Sequence, residues 1–121
     1  MGRRDDNVVL VKSKDFAVRI IKLYQFLSSK KGELVLSKQL LRSGTSIGAN
    51  LNEAQESVSA KEFETKVYIA LKEARETEYW LELLLRADYL DNSQYESINA
   101  DCVEILKLLV SITKSLRINH Q

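Results

Sequence analysis

In the segment SQYESINADCVEILKLLVSITKSL, residues 93–116, the apolar positions Tyr95, Ile98, Cys102, Ile105, Leu109, Ile112 and Leu116 recur at alternating steps of three and four. This period places one continuous apolar seam along a long α-helix and suits left-handed packing against other helices. Ser93 with Glu96 three residues on has the pattern of a capping box that opens the helix. The seam continues without a break because the chain contains no proline, the residue that most severely breaks helices.

Reading outward, the same amphipathic pattern recurs three times upstream. A helix over about 60–87 is predicted by Ser59 and Glu62, a second capping-box pair, with Phe63, Val67, Leu71, Ala74, Leu81 and Leu85 as its inner stripe. Glu78 falls within that stripe. Leu36, Leu40, Ile47, Leu51, Ala54 and Val58 line a helix over about 34–58, with Gly44 and Gly48 on its flank. Phe16, Ile20, Leu23 and Leu27 line one over about 13–31, which Gly32 ends. The 121 residues suit one domain with one core, spanning 1–121 with a short N-terminal arm over 1–12. The expected fold is all-α, an up-down-up-down antiparallel four-helix bundle joined by short connections.

Composition narrows the function. Hydrophobic residues make up 45% and charged residues 29%, as in ordinary globular proteins. Cys102 is the only cysteine, which excludes an internal disulfide and a cysteine-rich zinc site and fits a reducing compartment. Residues 1–6 lack the apolar core of a signal peptide, and no stretch approaches the ~20 apolar residues of a membrane span. A cytoplasmic location without membrane contact is therefore expected. Net charge is +1, but residues 1–50 hold ten Lys/Arg against four Asp/Glu, whereas residues 51–104 hold five against thirteen. Such asymmetry serves either a polyanion-binding face or a surface that pairs with another copy of the chain, unless it merely reflects solvated helix faces.

The catalytic inventory is small. His120 is the sole histidine and lies one residue from the end of the sequence, where helices fray. Most general-base and triad schemes are thereby removed. Cys102 occupies a seam position, where a thiol behaves as a small buried hydrophobe. A di-iron bundle would need Glu-x-x-His pairs, and none occurs; Glu73, Glu76 and Glu82 diverge around their helix. Gly44-x-x-x-Gly48 lacks the Lys-Ser/Thr of a phosphate loop and marks instead the close approach of another helix. No enzyme activity, cofactor or metal is expected.

The string Leu41-Arg42-Ser43-Gly44-Thr45-Ser46-Ile47-Gly48-Ala49-Asn50-Leu51-Asn52-Glu53-Ala54, together with Lys22-Leu23-Tyr24, Lys61-Glu62-Phe63, Tyr68-Ile69-Ala70-Leu71 and Glu76-Thr77-Glu78, resembles a bacterial family. Its members are four-helix-bundle proteins encoded in intervening sequences of 23S ribosomal RNA genes, and the accessory variability determinant of diversity-generating retroelements is similar. The resemblance implies a homo-oligomer, a barrel-shaped pentamer in the better-known members, without cofactor or enzymatic activity. For the retroelement accessory proteins it also implies binding to RNA and a reverse transcriptase. Those proteins are strongly basic whereas this chain is nearly neutral, which favours the broader intervening-sequence group.

Two functions follow as expectations: a self-assembling adaptor for RNA or a nucleoprotein, or a purely protein-binding structural oligomer. Arg42, Ser46, Asn50 and Glu53 share one helix face and are expected to form a structural polar network with Glu76 and Glu78. Within it Glu78, facing inward, needs a partner; Arg42 stands at a similar height and is expected to supply it, with Glu76 as the alternative. An RNA contact would use Lys12, Arg19 and Lys22 on the first helix with Lys107, Lys114 and Arg117 on the fourth. Self-association would use Ile69, Trp80, Leu83 and Leu84, an apolar line outside the inner stripe of the third helix.

Overall fold

The computed structural model describes residues 4–119, with side chains for residues 8–118. Four helices follow one another: α1 (Arg4–Ser29), α2 (Val35–Ala54), α3 (Ala60–Arg86) and α4 (Asn92–Asn119). Each packs on its sequence neighbours, and α4 closes the square by packing on α1. The result is the expected antiparallel bundle. Among the described residues no helix is long and apolar enough to cross a membrane.

The arm expected over 1–12 is instead helical from Arg4, and residues 1–3 lie outside the described residues. The cause is packing: Val9 and Ser13 are both buried and continue the seam of Phe16 and Ile20 one turn after another. At the other end Gly32, at φ +66°, lets the chain leave α1. Glu33 then caps α2. Its carboxylate accepts N–H bonds from Val35 (3.1 Å), Leu36 (3.0 Å) and Ser37 (2.6 Å), while its own carbonyl accepts the Ser37 hydroxyl at 2.6 Å. Burial opposes ionisation of this carboxyl, but the bonds from Leu36, Ser37 and Val35 outweigh it and hold its pKa below the ordinary value.

α2 ends at Ala54, short of the expected Val58, which is 92% exposed. The N–H groups of Gln55, Glu56 and Ser57 bond carbonyls three residues back, tightening the last turn before Ser59. Ser59 caps α3 as its pattern implies, with the Glu62 N–H on its hydroxyl at 3.0 Å. α3 closes in a Schellman turn: the Tyr89 N–H reaches Leu84 O, the Asp88 N–H reaches Leu85 O, and Asp88 takes φ 67°. The cap of α4 is not Ser93 but Asp91, whose carboxylate accepts the Gln94 N–H at 2.7 Å while Gln94 Oε1 accepts the Asp91 N–H at 3.0 Å. This pair competes with Ser93 and Glu96 two residues upstream and starts the helix earlier.

The core seams run through Phe16, Ile20 and Leu27 of α1, Leu40, Ile47 and Leu51 of α2, Leu81 and Leu84 of α3, and Ile105, Leu109 and Ile112 of α4. Each such side chain contributes about 1.5–3 kcal/mol when buried. α3 is rotated from its expected orientation, since its buried positions are Val67, Ala70, Ala74, Thr77, Leu81 and Leu84. Phe63, Leu71 and Leu85 are half-buried on its flanks. Gly44 explains how α1 and α2 approach: a Cβ there would stand 2.8 and 2.9 Å from Ile20 Cγ1 and Cγ2, and one at Gly48 would stand 3.3 Å from Ser13 Oγ.

Candidate functional site

Rotation of α3 puts Thr77, not Glu78, on the inner seam. Thr77 is fully buried, and its hydroxyl donates to Glu73 O on its own helix at 2.8 Å and stands 2.9 Å from Ser43 Oγ on α2, whose proton can bridge the two. Two small hydroxyls thus satisfy each other inside the α2–α3 seam, as buried polar groups must. Glu78 is half-buried, and its charge acts on Tyr95 and Cys102 of α4.

The expected Arg42–Glu78 pair is therefore not formed. Arg42 instead donates from Nη1 to Glu73 Oε2 at 3.2 Å and from Nη2 to Glu76 Oε2. The same Glu76 oxygen accepts Trp80 Nε1–H at 3.1 Å. Bonds to Glu73 and Glu76 raise the Arg42 pKa, while the Trp80 bond, ahead of Arg42 and against burial, lowers that of Glu76. Further down the seam Glu53 pairs with Lys66 at 2.7 Å. Ser46 and Asn50 lie between but bond the preceding turn, Ser46 Oγ to Arg42 O at 2.6 Å and Asn50 Nδ2 to Ser46 O at 2.8 Å. The Arg42, Ser46, Asn50 and Glu53 strip is thus a seam joining α2 to α3 through ion pairs at both ends.

The six basic residues expected to gather do stand on neighbouring helices, since α1 packs on α4. Two of them are neutralised there: Lys12 pairs with Glu104 at 3.2 Å, and Arg19 Nη1 meets Asp101 Oδ2 at 2.6 Å and Ser97 O at 3.2 Å. Lys22, Lys107, Lys114 and Arg117 are exposed and carry no ion pair among the described residues. An open groove of about 410 Å³ lies beside Arg19, Lys22, Ser93 and Ser97.

The expected association line on α3 is corrected at one position. Leu84 is fully buried in the core, because the seam steps from Leu81 to Leu84 and leaves Leu85 outside. Ile69, Trp80 and Leu83 remain half-buried, with Trp80 packed against the core and edge-on to Tyr79 at 5.2 Å between ring centroids. The more exposed apolar line was missed in the sequence and lies on α1: Val11, Val18 and Ile21, at 61%, 49% and 41% exposure. Its signal was present, since Val11, Lys14, Val18, Ile21 and Gln25 repeat at three and four residues opposite the inner seam.

Cys102 is completely buried, its thiol 3.6 Å from Ala74 O, and burial, helped by Glu78, pushes its pKa up to about 12. His120 lies outside the described residues. Among the described residues no group of three or more His, Cys, Asp or Glu side chains is placed to hold a metal ion.

Comparison with known proteins agrees with this architecture. No curated protein matches the chain. Its fold and sequence are similar to a crystal structure of a protein of unknown function from the S23 ribosomal protein family of Bacteroides thetaiotaomicron VPI-5482. The two share 61% identity at a TM-score of 0.89, over 91% of this chain and 98% of that one. A family model described as 23S rRNA-intervening sequence protein matches residues 5–111. With the match spanning all of α2 and α3 and most of α1 and α4, the chain belongs to the 23S rRNA-intervening sequence protein family.

Proposed function

We propose that this chain is a non-enzymatic, self-assembling bundle that acts through protein contacts, with a homo-oligomer as its working form. The observation that carries this reading is the exposed stripe Val11, Val18 and Ile21 on the outer side of α1. Its period is that of a helix-packing seam, and no helix among the described residues covers it. The buried, high-pKa thiol of Cys102 supports a role without catalysis, because the thiolate is the reactive form. Light scattering over a range of concentrations tests the reading. A mass above that of a single chain at micromolar concentration is expected, five-fold if the pentamer implied by the family resemblance holds; a single-chain mass throughout overturns it.

A second reading, an adaptor for RNA or a nucleoprotein, draws on Lys22 of α1 and Lys107, Lys114 and Arg117 of α4, which are exposed and carry no ion pair among the described residues. The pairing of Lys12 with Glu104 and of Arg19 with Asp101 works against it, since those cations already have anionic partners. Retention on RNA that falls steeply with salt, and that Lys22→Glu with Lys114→Glu abolishes, would favour this second reading over the first.

A further inference from the structure

We propose that the turn between α1 and α2 is a membrane-surface contact, in which Leu34 and Val35 enter the headgroup region of an anionic phospholipid bilayer that Lys30, Lys31 and Lys38 attract. The inference goes beyond the self-assembly reading and does not depend on it. Leu34 and Val35 are adjacent where the chain enters α2, and they stand 52% and 72% exposed. Folding does not ask for them there. Leu34 occupies the N-cap position of α2, where a polar residue is preferred, and makes no side-chain capping bond. Glu33 caps the helix instead, and Leu36 is the member of this apolar run that packs against the core. The Glu33 carboxylate on three amides, with the Glu33 N–H on Leu27 O at 2.9 Å, holds the turn in one shape. The apolar pair is therefore presented with little left to order on binding.

Charge selects the occupant. Between residues 16 and 52 the chain holds six Lys/Arg and a single carboxylate, Glu33, and that carboxylate is buried in its cap. Lys30, Lys31 and Lys38 are exposed and carry no ion pair among the described residues, with Lys31 5.9 Å from the centre of the Phe26 ring. The α3–α4 turn at the same end of the bundle carries Asp88 and Asp91, and its Arg86 pairs with Glu82. The apolar pair lies on the turn whose exposed charges are all positive. The opposite end supplies the contrast: Val58 is 92% exposed in the α2–α3 turn, but Glu56 and Glu62 stand about it against Lys61, and Glu62 accepts its N–H at 3.2 Å. An anionic surface attracts the first end and not the second. Each lysine near such a surface contributes about five-fold to partitioning, and burying each of the two apolar side chains contributes about as much. Five such contributions give a partition constant on the order of 10³ M⁻¹. Among the described residues no helix is long and apolar enough to cross a membrane. The expectation of no membrane contact rests on the lack of a span, which surface contact does not need.

Co-sedimentation with vesicles at about 1 mM accessible lipid, where such a constant leaves roughly half the protein bound, is the test. Vesicles of phosphatidylcholine with about one third phosphatidylglycerol are compared with phosphatidylcholine alone. The unaltered chain is expected on the anionic vesicles, absent from the neutral ones, and released by about 0.5 M salt. Lys30→Glu with Lys31→Glu, and separately Leu34→Ser with Val35→Ser, should each lower binding by about ten-fold or more. Circular dichroism first establishes that both variants fold, as expected for exposed positions and for serine at a helix N-cap. Val58→Ser should leave binding unchanged. An unaltered chain that stays in solution with anionic vesicles overturns the proposal, as does binding that survives the lysine reversals. Binding that the lysine reversals abolish but Leu34→Ser with Val35→Ser leaves intact marks a general attraction to polyanions, and overturns insertion. Self-assembly is read from the mass without lipid, so the two ideas fail separately.

Discussion

Replacing Gly44 with Ala places a methyl group against Ile20, and the geometry sets both the sign and the size of the effect. The new Cβ would lie 2.8 Å from Cγ1 and 2.9 Å from Cγ2 of Ile20. Both atoms branch from one carbon, so no rotation of that side chain clears them together. Ile20 is fully buried and has no free volume to retreat into. Overpacking of this kind costs about 1–3 kcal/mol, and the better helix propensity of Ala over Gly returns about 1 kcal/mol. A net loss of up to roughly 2 kcal/mol remains, which lowers the melting temperature by up to about 8 °C in a domain of this size. Chemical denaturation at fixed protein concentration measures it. Ile20→Ala alone should cost about 2–5 kcal/mol through the cavity it leaves, and the double variant should cost less than the two singles together because the Gly44→Ala methyl enters that cavity. Gly48→Ala is the control: its Cβ would meet Ser13 Oγ at 3.3 Å and the Ser13 carbonyl at 3.4 Å, and a change within about 0.5 kcal/mol is expected. If Gly44→Ala raised stability by about 1 kcal/mol, as at an unobstructed helix position, the close approach of α1 and α2 would be wrong.

Three further outcomes are expected. Glu33 has a folded pKa below the ordinary glutamate value, so its capping contribution is present above that ordinary value and lost as pH falls through the lower folded one; Glu33→Gln should remove about 1 kcal/mol at neutral pH and flatten this part of the acid-unfolding profile. Thr77→Val leaves the buried Ser43 hydroxyl without its cross-helix partner and should cost about 1–3 kcal/mol, whereas Thr77→Val combined with Ser43→Ala should cost less than the two singles summed; strict additivity in urea melts would deny the pairing. Cys102, with its pKa pushed up to about 12, should resist a thiol-specific disulfide reagent at pH 8 in the native state and react only on unfolding, by at least about 10³ in rate; rapid labelling of folded protein would contradict its burial.

The number of helices and most of their ends were legible because period and capping are local properties. The α4 seam from Ile98 to Ile112 and the Ser59 cap behave as their patterns imply, and the two glycines of α2 do mark a close approach. The rotation of α3 was not legible in the same way. Leucines at 71 and 85 outweighed alanines and a threonine in a hydrophobicity reading, yet the 3-4-3-4-3 run of Val67, Ala70, Ala74, Thr77, Leu81 and Leu84 packs more closely. That single rotation moved Leu84 inward, Glu78 toward α4 and the partners of Arg42 to Glu73 and Glu76. Glu33 escaped notice as a cap because a glutamate reaching forward over three amides is outside the usual Ser, Thr, Asp and Asn patterns. The basic residues of α1 and α4 were correctly assigned to adjacent helices, but sequence separation hid the carboxylates of Asp101 and Glu104 that face them.

Among the described residues the pairing of α1 with α4 is the one helix contact not made between sequence neighbours. Every other pairing closes a short hairpin, so its loop entropy is small and its formation local. Joining the two ends must order nearly the whole chain first, and the seam they form is clasped at its rim by the half-exposed ion pairs of Lys12 and Arg19. Screened, surface-exposed pairs of this kind add little free energy. The bundle is therefore built like a book whose spine is α2 and α3 and whose covers meet along α1 and α4. Sub-global opening should begin at that edge, and native-state hydrogen exchange at rising ionic strength should accelerate first in the outer helices while amides of α2 and α3 follow global unfolding.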